Sequence, residues 1–521
     1  MKKIFKYMFV GLFGVLCMSS CSSDLLETAP TESMSGTTFM SDATNALIPL
    51  NGIYRSMYSA GWSTTGNTHQ CFGISAYNLM AEVMGDDMIM GAQGSGWFWF
   101  DARYNVKTRY TSGAWRSYDL WTAYYKWIAG ANYIIDATQE MGGSTEDKNY
   151  AIGQAYAIRG YSYFMLAQIF ARTYAGHQTE KCVPIYTEPT FTSTTGQPRS
   201  TVEEVYKQIC NDLDSARLLL PVNRQDHVSH MSYAVASGIY ARVCMVMQDW
   251  HGAIKCAQDA IDYSGCSIAK VSEFLGCNDT GAKNVMWGAE VVTDQAGMYA
   301  SLFAHMAQSA SYGASAPKQI ARSLYDHMNS TDDRKQWWDP DDQTYNFSTS
   351  NDISGYVQKK MDFSNRSTWE GDYIWMRVEE MYLTLAEAAC HLGQDDAARE
   401  YLMDVMSQRD ANYSCDAYSG NNLSTMTSFE AGSLLEEILL QRRIELWGED
   451  GRIYTIRRLR QGFSRPASEG WPLALQNCNT TLYDPESYAW VLTIPQAEFD
   501  GNENLNFDDD QNPIGNYPDE K

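Results

Sequence analysis

Two distant stretches of the chain are built alike, and they constrain its fold more than any other feature. Residues 233–262 read as a helix, a short turn at Gln248-Asp249-Trp250-His251-Gly252, and a second helix. Residues 378–407 do the same around Leu392-Gly393-Gln394-Asp395-Asp396. Helical spacing recurs elsewhere. Residues 114–141 carry apolar positions from Ala114 through Trp121, Tyr125, Ile128 and Ile135, and residues 150–172 are apolar on nearly all sides, the mark of a buried helix. Thr201-Val202-Glu203-Glu204 has the pattern of a capping box and predicts a helix ending near Leu220, before Pro221. These three helices are expected to stack against the paired units. Residues 265–375, 408–433 and 461–521 behave differently. There, short β-type runs such as Val285-Met286-Trp287 and Glu290-Val291-Val292 alternate with Gly, Ser, Asn and Asp. Long loops on a rigid scaffold are where binding concentrates.

The paired units resemble tetratricopeptide repeats. In the first, Ala241, Ala253 and Ala260 fall where that repeat uses small residues to bring helices close. In the second, Ala386 and Ala398 do so, and Val405 replaces the last small residue. The expected fold is mostly α, a tetratricopeptide-like helical-repeat scaffold with loop-rich, short-stranded insertions that hold a ligand.

The N-terminus supplies an address. Lys2, Lys3 and Lys6 give a basic start, and the run from Ile4 to Met18 is otherwise almost wholly apolar, followed by Ser19, Ser20 and Cys21. The run is too short to span a bilayer of roughly 30 Å. It has the layout of a secretory signal, and the cysteine after the small pair makes it resemble a bacterial lipoprotein signal, with Met18 where Leu is usual. Cys21 is the expected lipidation site, and residues 22–40, rich in Ser, Thr, Pro and acid, are the expected tether. The formal net charge of −24 becomes −27 once the three lysines of residues 1–20 are removed. Such an acidic body repels nucleic acid and anionic lipid. No later apolar run approaches about 20 residues, so membrane attachment rests on the lipid.

Chemistry-bearing motifs are scarce. The 12 cysteines show no C-x-x-C or paired spacing and read mostly as small core residues, with one bridge open but unassigned. There is no H-E-x-x-H, G-x-S-x-G or Walker loop. Gly91-Ala92-Gln93-Gly94-Ser95-Gly96 leads into aromatics rather than a Lys-bearing helix, so it is not a phosphate cradle. His227 and His230 lack an evident third metal ligand, and Asp508-Asp509-Asp510 lacks the EF-hand pattern. An enzyme, a cofactor and a metal site are therefore not expected.

The composition is rich in rings, with 15 Trp and 34 Tyr. Trp97-Phe98-Trp99-Phe100 follows the flexible glycines. Strand-like alternation would place Trp97 and Trp99 on one face and the two Phe on the other. Indoles offer a broad apolar surface on which the C–H faces of sugar rings can stack. Trp62, Tyr299, Tyr312, Trp337 and Trp338 lie in loop-like, polar surroundings and are candidates to extend that platform.

The last hundred residues carry a stronger resemblance. Arg442-Arg443-Ile444-Glu445-Leu446-Trp447-Gly448-Glu449-Asp450-Gly451-Arg452-Ile453-Tyr454-Thr455-Ile456-Arg457-Arg458-Leu459 resembles the signature of the RagB/SusD family. Upstream, Arg377-Val378-Glu379-Glu380-Met381-Tyr382-Leu383 with Ala386-Glu387-Ala388 is similar to its other helix signature. Downstream, Leu492-Thr493-Ile494-Pro495-Gln496-Ala497-Glu498-Phe499, Asn504-Leu505 and Gln511-Asn512-Pro513 resemble its C-terminal tail, and Asn51-Gly52-Ile53-Tyr54 and Gly85-Asp86-Asp87 also fit. Arg442, Arg443, Glu445 and Glu449 fall on adjacent helical turns where they can pair, which assigns them to structure.

The resemblance implies a non-enzymatic outer-membrane lipoprotein, exposed at the surface, that binds an oligo- or polysaccharide. It further implies delivery to a SusC-like TonB-dependent transporter, the expected partner. The alternative keeps the scaffold and drops the sugar, leaving a peptide-binding or purely structural lid on such a transporter. The expected organisation is a signal peptide (1–20), a lipidated tether (21–40), an N-terminal helical region (41–225), a tetratricopeptide-like unit with linker (226–300) and a RagB/SusD C-terminal region (301–521).

Overall fold

The computed structural model describes residues 42–60, 67–104, 112–341, 355–476, 478 and 482–513. Cys21, the tether and Trp62 lie outside the described residues. The chain forms α1 (Leu47–Ser56), α2 (Ile74–Val83), β1 (Met88–Met90), α3 (Trp115–Glu140), α4 (Thr145–Phe170), α5 (Val202–Leu219), α6 (Tyr233–Met247) and α7 (Trp250–Ser264). It continues through β2 (Val285–Ala289), β3 (Lys318–Ile320), β4 (Trp338–Asp339), β5 (Val357–Gln358) and β6 (Tyr373–Arg377) to α8 (Val378–His391), α9 (Asp395–Met406), α10 (Leu434–Glu445) and α11 (Arg452–Arg458). Short helical turns join them.

From α3 to α9, each helix packs against the next. This is the mostly α, tetratricopeptide-like scaffold expected. Ala241, Ala253, Ala260, Ala386, Ala398 and Val405 are all buried at the helix contacts. The α6–α7 turn shows how sequence sets the pairing. Gln248 takes a left-handed conformation, and Asp249 caps α7 by accepting from the Gly252 N–H at 3.0 Å. A Cβ on Gly252 would sit 2.2 Å from Asp249 Oδ2 and 2.9 Å from Cys244 Sγ, so a larger residue here would displace the Asp249 cap.

The capping box at Thr201 forms in full. The Glu204 N–H donates to Thr201 Oγ1 at 3.2 Å, and the Thr201 N–H donates to Glu204 Oε2 at 2.8 Å. Helix α4 begins five residues before the apolar pattern suggests. Ser144 caps it, accepting from the Asp147 N–H at 3.1 Å, and Glu146 and Asp147 favour a helix N-terminus. A polar first turn carries no apolar periodicity.

Strands are few. They form an antiparallel sheet ordered β1-β3-β5-β4 and an antiparallel pair β2-β6. Glu290–Val292 lies beyond the end of β2 and is not a strand. No helix among the described residues is long and apolar enough to cross a membrane. The described cysteines are all free thiols.

The arginine-rich segment lies inside the molecule, and its partners come mostly from elsewhere in the chain. Glu445 receives Arg409 (2.8 Å), Arg377 (3.1 Å) and Arg334 (3.5 Å). Burial would raise its carboxyl, but the three guanidiniums outweigh burial and hold it well below the usual range. Glu449 pairs with Arg377 (2.7 Å) and Lys360 (2.5 Å). Arg443 pairs with Asp87 (2.6 Å), Arg452 with Asp86 (2.8 Å), and Arg458 with Glu387 (2.8 Å). Pairing within the segment, expected from helical spacing, is confined to Arg442 and Asp450 at 3.1 Å.

Candidate ligand-binding site

The glycine-rich loop brings one aromatic segment onto another. Gly94 and Gly96 take positive φ, 52° and 86°. A Cβ on Gly94 would lie 2.9 Å from the Ser315 carbonyl oxygen. Glycine there lets the loop that carries Trp97 close on the helical turn Ser311–Ser315, which carries Tyr312.

Four rings meet at this junction. His69 stacks on Tyr299 (5.5 Å between centroids, 19°), meets Trp97 edge-on (5.3 Å) and lies 5.7 Å from Tyr312. Trp97 and Tyr312 are edge-on at 5.9 Å, and Tyr299 and Tyr312 are 5.5 Å apart. His69 Nδ1 is 2.7 Å from the Tyr312 hydroxyl. Tyr299 is 40% exposed, and the other three rings are half-buried. The indole nitrogen of Trp97 is covered, so the carbon surface of its ring is what it offers.

A rigid base supports the rings. The buried His305 stacks under Tyr312 at 5.2 Å and donates from Nε2 to the His69 carbonyl at 2.7 Å. Burial, helped by the nearby Lys318 charge, pushes its imidazole down to about 3, so it stays neutral. Burial also pushes the Lys318 ammonium down to about 7, and its Nζ donates to the Ala316 carbonyl at 2.8 Å. On the other side, Gln70 Oε1 accepts from the Phe98 N–H at 2.7 Å and from Arg116, which also forks onto Asp101 at 2.8 and 3.2 Å.

Trp97, Tyr299 and Tyr312 therefore come together as the sequence suggested. Trp99 does not join them. Phe98 takes a left-handed conformation (φ 61°), which breaks the strand-like alternation, and Trp99 opens the helical turn Trp99–Ala102 facing the core, 4% exposed. Trp337 is also corrected to a core residue, 3% exposed. It lies edge-on to the buried Trp338 at 5.9 Å, with Lys360 Nζ 4.7 Å from its ring centroid. Trp62 lies outside the described residues. His69 and His305 were missed, since the rarity of histidine (8 in the chain) was their only mark.

His227 and His230 have other partners. His230 lies 2.8 Å from Asn51 Oδ1 and 3.1 Å from the Tyr150 hydroxyl, and His227 is 3.4 Å from Glu290. Among the described residues no group of three or more His, Cys, Asp or Glu converges as metal ligands. The rings present flat apolar surface edged by hydroxyls, an arrangement suited to stacking.

The described residues thus form a helical-repeat scaffold with a cluster of rings on its loops. Two family models match successive parts of the chain: SusD-like_3, described as "Starch-binding associating with outer membrane", over residues 78–245, and SusD_RagB, the SusD family, over residues 289–514. The chain belongs to the SusD/RagB family. Solved structures share the fold. One is a SusD-like carbohydrate-binding protein from Bacteroides vulgatus (24% identity, TM-score 0.73, covering 90% of this chain and 98% of that one). Another is a SusD superfamily protein from Bacteroides thetaiotaomicron (22%, TM-score 0.72, 91% and 100%). A third is surface glycan-binding protein A from Bacteroides fluxus (16%, TM-score 0.67, 91% and 99%). No curated protein matches the sequence.

Proposed function

We propose that this protein is a cell-surface lipoprotein, anchored in the outer membrane through Cys21, that binds an oligo- or polysaccharide and passes it to a TonB-dependent transporter without cleaving it. Family membership supports carbohydrate binding. The observation that carries the reading is the convergence of His69, Trp97, Tyr299 and Tyr312. Sugar C–H faces stack on such rings, and the Tyr299 and Tyr312 hydroxyls stand at their edges to meet sugar hydroxyls. The acidic body favours neutral over polyanionic glycans.

Affinity electrophoresis against amylopectin, xylan, laminarin, galactomannan, inulin and polygalacturonate tests the reading. At least one neutral polysaccharide is expected to retard the protein, and Trp97→Ala is expected to weaken that binding about tenfold or more, without release of reducing ends. No retardation by any of them, with tight copurification of a barrel, would move the reading to a structural lid. Cys21→Ala is expected to release the protein from the membrane fraction.

A further inference from the structure

A second aromatic cavity lies apart from the platform and shares no residue with it. It has a volume of about 450 Å³, within the range of roughly 300–1,000 Å³ typical of small-molecule sites. Its floor is one face of α3. Tyr118, Trp121 and Tyr125 follow at helical spacing, and the small Thr122 and Ala129 leave the space above them open. Tyr186 and Phe191 form the second wall, and residues around Glu498 and Asn502 form the third.

These walls are tied to each other and preset for a ligand. The Tyr125 hydroxyl donates to the Pro184 carbonyl at 2.7 Å, and Asn132 Nδ2 donates to the Tyr186 carbonyl at 3.1 Å. Trp121 Nε1 donates to Glu498 Oε2 at 3.1 Å, and Asn502 Nδ2 donates to Glu498 Oε1 and to the Gln197 carbonyl, both at 2.8 Å. Phe191 is 65% exposed at the rim. A turn holds it there, in which Thr194 Oγ1 accepts the Phe191 N–H at 2.8 Å.

We infer that this cavity is a second saccharide-binding site, sized for a short oligosaccharide and distinct from the platform. The inference rests on the reading of the protein as a saccharide binder. The lining pairs ring faces with polar capacity left over. The Tyr186 hydroxyl accepts from the Gln197 N–H at 2.9 Å and keeps its own proton to donate. Each Glu498 oxygen takes one of these bonds and has a further lone pair. The exposed Lys126 stands at the rim. A lipid chain would strip water from these groups and return nothing. A sugar presents a C–H face to Tyr118 and Tyr125 and hydroxyls to Glu498 and Tyr186.

Calorimetric titration of the intact chain with maltohexaose, xylohexaose, laminarihexaose and mannohexaose tests it. The wild type is expected to bind two molecules of one hexaose, and Trp97→Ala one. Thr122→Arg, which fills the cavity from a half-buried position on α3, is expected to bind one through the platform. Phe191→Ala removes an exposed ring, spares the fold, and is expected to weaken the second site about tenfold. A single site in the wild type, lost in Trp97→Ala and untouched by Thr122→Arg, would overturn the second site and leave the platform standing. Binding lost in Thr122→Arg but intact in Trp97→Ala would overturn the platform and keep the cavity. No binding of any hexaose would overturn both.

Discussion

Trp97 and Trp337 meet a neighbouring ring at the same distance, 5.9 Å and edge-on in both cases, yet one belongs to a surface and the other to the core. What lies over each ring makes the difference. Lys360 covers Trp337, and its ammonium is buried and donates to the Glu445 carbonyl (2.7 Å), the Trp447 carbonyl (2.9 Å) and Glu449 (2.5 Å). The charged network thus reaches across the tryptophan and seals it. Trp97 instead stays half-buried, set edge-on to His69 and Tyr312, which His305 holds from below. Aromatic content alone does not separate a binding surface from a core.

The sharpest way to break this contrast is to open the network. Glu445→Ala would leave Arg334, Arg377 and Arg409 buried around a missing charge, at about 3–5 kcal/mol. The urea midpoint is expected to fall accordingly, with saccharide affinity per folded molecule unchanged. A similar affinity loss in both properties would mean that the network shapes the platform directly.

The paired substitution compares the two rings themselves. Trp337→Ala removes a buried indole and is expected to destabilise by about 3–5 kcal/mol. Trp97→Ala, half-exposed, is expected to change stability by less than about 1 kcal/mol while carrying the loss of binding. Equal destabilisation by the two would erase the distinction.

The smallest effect is pH-dependent. Glu380, Glu387, Glu445 and Glu449 are buried, which would raise them, but their basic partners win and hold them below the usual carboxylate range. Their stabilisation is complete above the unfolded value of about 4.3 and is lost as pH falls below it. His230 and His305 act earlier. Burial pushes them down to about 4 and about 3, so below about 6.5 the unfolded chain takes up protons that the folded chain refuses. Glu82 and Asp450, raised by burial, oppose the trend in acid. The thermal midpoint is expected to decline gently from pH 6.5 to 4.5 and steeply below it. A flat profile down to pH 5 would show that the cost of keeping His230 and His305 neutral is matched by the return from Glu82 and Asp450.

The sequence was most legible where structure is local. The Thr201 box and the paired helices follow from spacing, because caps and helical periodicity act within a few residues, and the resemblance to tetratricopeptide repeats marked the small residues between the helices. The family motifs in residues 442–459 were legible as a pattern, but their partners were not. Arg334, Lys360 and Arg409 carry no local sign that they will meet Glu445 or Glu449. The platform was half legible. Loop context pointed to Tyr299 and Tyr312, and glycines pointed to Trp97. Trp99 was misplaced because the turn at Phe98 is fixed by Gln70, 28 residues away in sequence.

The buried carboxylates of Asp86 and Asp87 bear on how the chain folds in time. Their counter-charges lie far downstream, with 356 residues separating Asp87 from Arg443 and 366 separating Asp86 from Arg452. A chain emerging from its N-terminus must hold these acids in water until the distant arginines arrive, because an unpaired charge in the core is prohibitive. Completion of the N-terminal half is thereby coupled to the closure of a very long loop, a slow step in folding. Truncation before Arg443 would leave a chain unable to finish its core, however much of the helical scaffold it had already made.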